Sequence, residues 1–260
     1  MKMTGNTILI TGGGSGIGRA IAEEFHKLGN QVIVAGRRKA LLDEVTAANP
    51  GMQSAVLDVQ NAEDLANFVA TMTQQHPVLN VLINNAGIMK PEDLNDPAGD
   101  FAAVEAIVQT NLIAPLRLTG ALLPLLKKQR QATVMTVSSG LAFVPLAMTP
   151  TYCATKAAIH SWTQSLRYQL QGTPVQVMEL IPPYVQTELM GSHQNSDPRA
   201  MPLDEFIAEV MELLKTQPDA KEICVQRVYP LRFAAEQGQA TYHGVFTGLN
   251  DGMKAARSGN

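Results

Sequence analysis

A short apolar run, Thr7-Ile8-Leu9-Ile10, leads straight into Thr11-Gly12-Gly13-Gly14-Ser15-Gly16-Ile17-Gly18, after which Ile17, Ile21, Phe25 and Leu28 recur at helical spacing. The reading is strand, glycine turn, helix. Such a turn lets the backbone come close to a pyrophosphate. The helix start adds unpaired N–H groups and the positive end of its dipole. With a second apolar strand following at Gln31 to Ala35, the unit predicts nucleotide binding; a purely structural turn is the alternative.

The alternation continues downstream. Helical spacing is expected near Lys39 to Ala48 and Ala62 to Gln75, and strands near Gln53 to Leu57, Val78 to Ile83, Ala132 to Val137 and Val175 to Ile181. A helix follows at Leu203 to Lys215, with Glu222 to Val225 as a last strand. Alternating elements with short connections predict an α/β chain, a doubly wound parallel sheet in three layers with ligands at the carboxyl ends of the strands. The second strand ends at Gly36, where a carboxylate would bind an unmodified ribose, and Arg37 and Arg38 follow. An arginine fork suits a 2′-phosphate, so NADP(H) is favoured over NAD(H). Asp58, flanked by Val59, stands at another strand end, where it either serves an adenine or caps the helix after Asn61. Asn84-Asn85-Ala86-Gly87 stands at the next, as a ligand contact or as turn chemistry.

Composition narrows the classes. A chain of 260 residues, 45% hydrophobic, can bury a large core, and a formal net charge of −3 without basic–aromatic clusters argues against nucleic acid. Cys153 and Cys224 match no metal spacing, and the five histidines are scattered, so no metal is expected. The start lacks a signal-peptide pattern, and no stretch reaches about 18 uninterrupted apolar residues. A cytoplasmic protein without membrane association is the expectation.

In the middle of the chain, Asn111 is polar in an apolar helical context and precedes Pro115, which predicts a break in the helix and room for a water. After the Ser138-Ser139-Gly140 turn and an apolar loop, Tyr152 and Lys156 open a helix four residues apart, on one face. A cation held near a phenol draws its pKa down towards the working range. Ala154, Ala158, Ser161 and Ser165 form a small-residue stripe on the same helix, suited to close helix packing or to a symmetric dimer. Met190 to Met201 has the composition of a mobile lid, and the tail from Gly238, rich in Gly, Asn and Ser, is expected to be poorly ordered. No linker divides the chain: residues 1–237 form one domain, with a lid over about 188–216 and a tail at 238–260.

Thr11-x-x-x-Gly16-x-Gly18, Asn84-Asn85-Ala86-Gly87, Asn111, Ser139 and Tyr152-x-x-x-Lys156, in that order, resemble the short-chain dehydrogenase/reductase family over most of residues 5 to 225. Pro182-Pro183 and the Leu231-Arg232-Phe233 segment look most like its DltE-like subgroup. The resemblance implies a Rossmann-type fold and hydride transfer between NADP(H) and a carbonyl or alcohol carbon. By it, Tyr152 is the general acid and base, Lys156 binds the nicotinamide ribose and tunes the phenol, Ser139 orients the carbonyl, and Asn111 holds a water leading to Lys156. The implied cofactor set spans Thr11, Gly12, Gly14, Ser15, Gly16, Ile17 and Gly18, then Arg37, Arg38, Asp58, Val59, Asn85, Ala86 and Gly87, and finally Pro182, Val185 and Thr187. Ser139, Leu141, Phe143, Met148 and Met190 are expected around the substrate with Tyr152. Pro183 stands where the family has glycine, and the chain near Val225 to Arg232 lacks the family's glycine-ended strand. A homodimer or homotetramer is expected. The other function considered is a non-catalytic NADP(H)-binding regulator or sensor of the same fold.

Overall fold

A computed structural model describes residues 1–96 and 99–258, with side chains to Ala256. Seven strands form one parallel sheet in the order β3-β2-β1-β4-β5-β6-β7. They are β1 (Thr7–Thr11), β2 (Gln31–Gly36), β3 (Gln53–Val56), β4 (Val81–Asn84), β5 (Ala132–Val137), β6 (Val175–Ile181) and β7 (Glu222–Cys224). β1, β4 and β5 are buried along their whole length, as strands covered on both faces must be. The order reverses direction between β1 and β4, and the crevice at that switch point is where such sheets bind ligands.

Two apolar layers hold the helices to the sheet. On one face α1 (Gly16–Lys27), α2 (Lys39–Ala48) and α7 (Leu203–Thr216) cover β1, β2 and β6 through Ile21, Phe25, Leu42, Phe206 and Val210, each at most 1% exposed. On the other face α3 (Ala62–Gln75), the run Phe101–Leu126 and α6 (Pro150–Gln169) pack through Leu65, Phe68, Leu118, Leu122 and Leu166. Thus the later part of the expected lid, α7, is a core helix; the irregular stretch before it, with a 3₁₀ turn at Ser192–Ser196, is what lies over the site.

The run Phe101–Leu126 departs from expectation at Asn111. The chain does not break there: α4 (Phe101–Val108) passes through a π-helical turn, Gln109–Ile113, into α5 (Ala114–Leu126). Pro115 is the second residue of α5, so its missing N–H falls directly after the π-turn, where the regular hydrogen-bond ladder is already interrupted. The whole run is long and apolar enough to cross a membrane, but here one side of it is packed on the sheet and on α3.

The tail also differs. After α8 (Tyr229–Arg232) the chain forms a long helix, α9 (Gln239–Ser258), despite Gly244, Gly248 and Gly252. Composition alone misses this because the helix is held by a half-buried stripe, Tyr242, Val245, Phe246, Leu249 and Met253, at helical spacing. Residues 259 and 260 of the expected tail, and 97 and 98 of the loop Pro91 to Gly99, lie outside the described residues.

Candidate active site

One cavity of about 750 Å³ runs along the carboxyl edge of the sheet from the glycine turn to α6. At one end lie Gly12, Gly14, Ser15, Gly16 and Ile17. The start of α1 has no side-chain cap and no acidic residue in its first turn, so its first N–H groups are open to an incoming anion. Gly12 and Gly16 adopt φ of 68° and 54°, which side-chain-bearing residues rarely do.

Thr11 and Gly18 stand behind this end. The Thr11 hydroxyl accepts from the N–H groups of Asn85 and Ala86, both at 3.1 Å, and the Asn85 amide donates to the Thr11 carbonyl at 3.0 Å. A Cβ on Gly18 would lie 2.3 Å from that amide, so Gly18 allows α1 to close on the β4 turn. Asn85, Ala86 and Gly87 then face the cavity.

The end of the cavity beside β2 carries Gly36, Arg37 and Arg38, and Arg38 donates to the Ser15 hydroxyl at 2.8 Å. Arg38 therefore spans from the end of β2 to the glycine turn. Val59 lines the wall, whereas the Asp58 carboxylate accepts from the N–H of Gln60 at 3.0 Å and is not part of the lining. Asn61, not Asp58, caps α3, through bonds to the N–H groups of Glu63 and Asp64. Gln60 lines the cavity and donates to Thr110 at 2.8 Å, a residue that no motif brought forward.

Ser139, Tyr152 and Lys156 meet at the other end, 7%, 5% and 5% exposed. The Lys156 ammonium donates to the Val137 carbonyl at 2.7 Å and lies 5.5 Å from the centre of the Tyr152 ring. Burial lowers the Lys156 pKa to about 8, with the buried Glu179 carboxylate opposing that shift. Burial raises the Tyr152 phenol above its ordinary value, Ser139 acting in the opposite direction. This is the reverse of the expected effect of Lys156: its ammonium is bonded to a carbonyl, and desolvation of the phenol dominates. Ser138 also borders the cavity, its hydroxyl buried and without a hydrogen-bond partner among the described residues.

Asn111 does not face the cavity directly. Its side chain accepts from the Ile88 N–H and donates to the Ile88 carbonyl, both at 2.9 Å, with a longer bond of 3.3 Å to Thr155. The π-turn thus holds the loop after β4, at residue 88, against α6. A Cβ on Gly87 would stand 3.5 Å from the Asn111 oxygen and 3.8 Å from the Lys156 ammonium, so Gly87 keeps a narrow space between them.

Two supports lay beyond any local pattern. Glu92, from the loop after β4, accepts from the N–H and hydroxyl of Thr151 at 3.0 and 2.7 Å, capping α6 one residue before Tyr152. Gln194, only 3% exposed, donates to Val185 and Thr187 and accepts from the Met190 N–H, which ties the covering segment to the end of β6. Pro182, Val185, Thr187 and Met190 line the cavity beside it.

Of the expected substrate residues, Leu141 and Met190 line the cavity, whereas Met148 does not and packs in the same apolar cluster with Met89, Leu146 and Cys153. Burial raises the Cys153 thiol, which suits packing and not nucleophilic attack. Phe143 points elsewhere, against His160 at 4.6 Å and beneath Arg232 at 4.6 Å. His160, Glu179 and Glu222 come together there, and the Arg232 guanidinium engages both Glu222 oxygens at 2.7 and 3.1 Å. A cation therefore already answers these carboxylates. The Val225 to Arg232 segment, read only as a departure, has a function in packing: Val228 and Leu231 sit so close to Gly140 that a Cβ there would meet them at 2.8 to 2.9 Å.

The chain belongs to the short-chain dehydrogenase family, whose sequence profile matches residues 6–198. Within it the chain is of the DltE-like type: it is 38% identical over 253 residues to the uncharacterized oxidoreductase DltE of Bacillus subtilis, covering 96% of this chain and 98% of that one. Among solved structures, a short chain dehydrogenase from Burkholderia cenocepacia in complex with NADP matches with a TM-score of 0.79 and 26% identity, over 95% of this chain and 100% of that one. A short chain dehydrogenase/reductase from Burkholderia phymatum in complex with NAD matches with a TM-score of 0.76 and 20% identity, over 92% and 97%.

Proposed function

We propose that the protein is an NADP(H)-dependent oxidoreductase that interconverts a carbonyl and an alcohol, with Tyr152 as general acid and base. The observation that carries this reading is the convergence of Ser139, Tyr152 and Lys156 at one end of a cavity whose other end is an uncapped helix start with a glycine turn. The nicotinamide cofactor, when bound, supplies the hydride.

The residues present fit such a cofactor. The open N–H groups of α1 match a pyrophosphate, and Gly12 and Gly16 leave the backbone accessible. Arg37, Arg38 and Ser15 together offer donors for a 2′-phosphate where a carboxylate would repel it, which supports NADP(H). The NADP held by the Burkholderia cenocepacia relative is in keeping with that choice. Pro182, Val185 and Thr187, which line the cavity near Lys156, support a nicotinamide at that end with Lys156 on its ribose.

Ser139 donates a hydrogen bond to the substrate oxygen and fixes its direction. Tyr152 delivers its proton to that oxygen during reduction and takes one back during oxidation. Since burial holds the phenol protonated, the free site is poised in the acid form. The Lys156 ammonium has donors beyond the one given to the Val137 carbonyl; these would hold the ribose hydroxyls of the cofactor, while its charge favours the phenolate. Retention of both Tyr152 and Lys156 weighs against a purely non-catalytic sensor.

The stripe on α6 supports a homo-oligomer, since Ala154, Ser161 and Ser165 are exposed and Ala158 half-buried. The test of the function is consumption of NADPH and of NADH with a panel of aldehydes, ketones and diketones. NADPH-dependent reduction is expected, with a lower KM for NADPH than for NADH. A protein that turns over none of them, or that prefers NADH, overturns the reading or its cofactor choice respectively.

A further inference from the structure

The reductase reading fixes the reacting end of the cavity but leaves open what closes the far side of the substrate. That side is built by α9. Leu249 and Met253 line the cavity and join the apolar cluster containing Met89, Leu146 and Met190. Asn250, between them on the same stripe, accepts from the Ala147 N–H at 2.6 Å and donates to the Pro145 carbonyl at 3.2 Å. One side chain thus fastens the helix to the loop that follows Ser139. On the opposite lip the Arg199 guanidinium contacts the Met253 sulfur at 3.6 Å. That guanidinium is held by Asp197 at 2.6 and 2.9 Å, so this second fastening also comes from an ordered group.

The helix is otherwise lightly attached. From Gln239 to Ala256 no residue is fully buried, and the outward face carries Gly244, Gly248 and Gly252 with open space around each. Each glycine costs about 1 kcal/mol of helix propensity relative to alanine. Elements of this kind, with few buried contacts and low propensity, open more readily than the core. The wall α9 presents is apolar and soft, since leucine and methionine adapt to different shapes without offering a polar partner. Apart from Lys156 at the reacting centre, the charged lining residues at this end, Lys90 and Glu188, are exposed at the rim. A polar group pushed against Leu249 and Met253 would lose hydration and find no hydrogen-bonding partner on either side chain, and the Arg199 guanidinium beside Met253 is already engaged by Asp197.

We propose that α9 is the specificity wall of this site: Leu249 and Met253 select carbonyl compounds with an apolar group beyond the reacting carbon, and Asn250 latches the helix over them. The proposal rests on the function given above for its chemistry but not for its binding surface.

The test uses two α-dicarbonyl probes of unlike bulk, diacetyl and benzil, with NADPH and the full-length protein. For the Leu249→Ala/Met253→Ala double variant, KM for benzil is expected to rise about tenfold, the loss of one well-buried apolar contact surface. For diacetyl, kcat/KM is expected to stay within about twofold. NADPH affinity, unchanged, reports that the variant is folded. Equal changes for both probes, or no change for either, overturn the assignment. Equilibrium dialysis of benzil against the protein with NADPH separates this result from the reductase reading. If the wild type turns over neither probe, the reaction class fails, and the wall still stands if the double variant binds benzil about tenfold more weakly. It falls if the affinity is unchanged or the wild type does not bind benzil. Asn250→Ala is expected to speed amide hydrogen exchange in α9 about tenfold without altering the sheet; unaltered exchange in α9 removes the latch.

Discussion

At the scale of single residues, the chemistry turns on how burial acts on Tyr152 and Lys156 in opposite senses. Both are taken out of water, so each is pushed towards its neutral form: the phenol up, the ammonium down to about 8. The sign for stability follows from the lysine. Its folded value lies below the ordinary 10.5, so between about 8 and 10.5 the unfolded chain binds the extra proton. The charged lysine therefore weakens the fold at neutral pH, and that penalty is relieved as pH rises through this window. Comparing wild type with Lys156→Met by thermal unfolding, the melting temperature difference is expected to shift in favour of wild type from pH 7 to pH 10, other groups cancelling. A difference that stays flat with pH would mean that the ammonium is better solvated than its burial indicates.

The same scale separates what a motif can disclose from what it cannot. The tyrosine–lysine spacing puts both groups on one face of a helix because the helix repeat demands it. It says nothing about the carbonyl of Val137, nineteen residues upstream, that occupies the ammonium. Nor could spacing tell that Phe143 turns away to His160 and Arg232 while Leu141 faces the cavity.

At the scale of elements, α6 owes its placement to groups outside itself. Thr149 at its N-terminus makes no side-chain cap, and Glu92 provides one from the preceding loop. A carboxylate at that end also meets the positive end of the helix dipole. Glu92→Ala is expected to destabilise the fold by about 1 kcal/mol, read from the urea midpoint at unchanged m-value. Turnover is expected to fall more than that loss accounts for, because Tyr152 follows Thr151 directly. Stability equal to wild type would show that the cap is solvent-replaceable.

Helices and strands of the sheet were legible because each carries its own apolar period, and β5 and β6 begin and end at Ala132, Val137, Val175 and Ile181 as their composition suggests. Contacts such as Glu92 with Thr151, Gln194 with Thr187 or Asn250 with Ala147 were not, since they join residues whose proximity exists only after the sheet has formed. The π-turn at Gln109–Ile113 was half legible. Asn111 marked the place, but a proline tolerated in the first turn of the next helix left no break to read.

At the scale of the whole molecule, the parallel sheet gathers short segments from distant parts of the chain at one edge. β1 contributes the glycine turn, β2 the arginines, β4 the Asn85–Gly87 turn, β5 Ser139 and β6 the Pro182–Thr187 segment. The reversal of strand order at β1 and β4 opens the crevice they share. On the outside, the small-residue face of α6 is exposed beside α4, where Phe101 is 75% exposed. Light scattering is expected to give a mass of at least two chains, and Ala154→Arg with Ser161→Arg to lower it to one. A wild-type monomer would leave that face as ordinary surface.

The central claim is that Tyr152 moves the proton while the rest of the cavity holds the cofactor. Its most direct test is Tyr152→Phe, which removes one hydroxyl from a buried ring, assayed for carbonyl-dependent NADPH oxidation and for NADPH binding by fluorescence. The account predicts turnover at least about a hundredfold below wild type, with the NADPH dissociation constant within about threefold. Turnover near that of wild type, with binding intact, would contradict it.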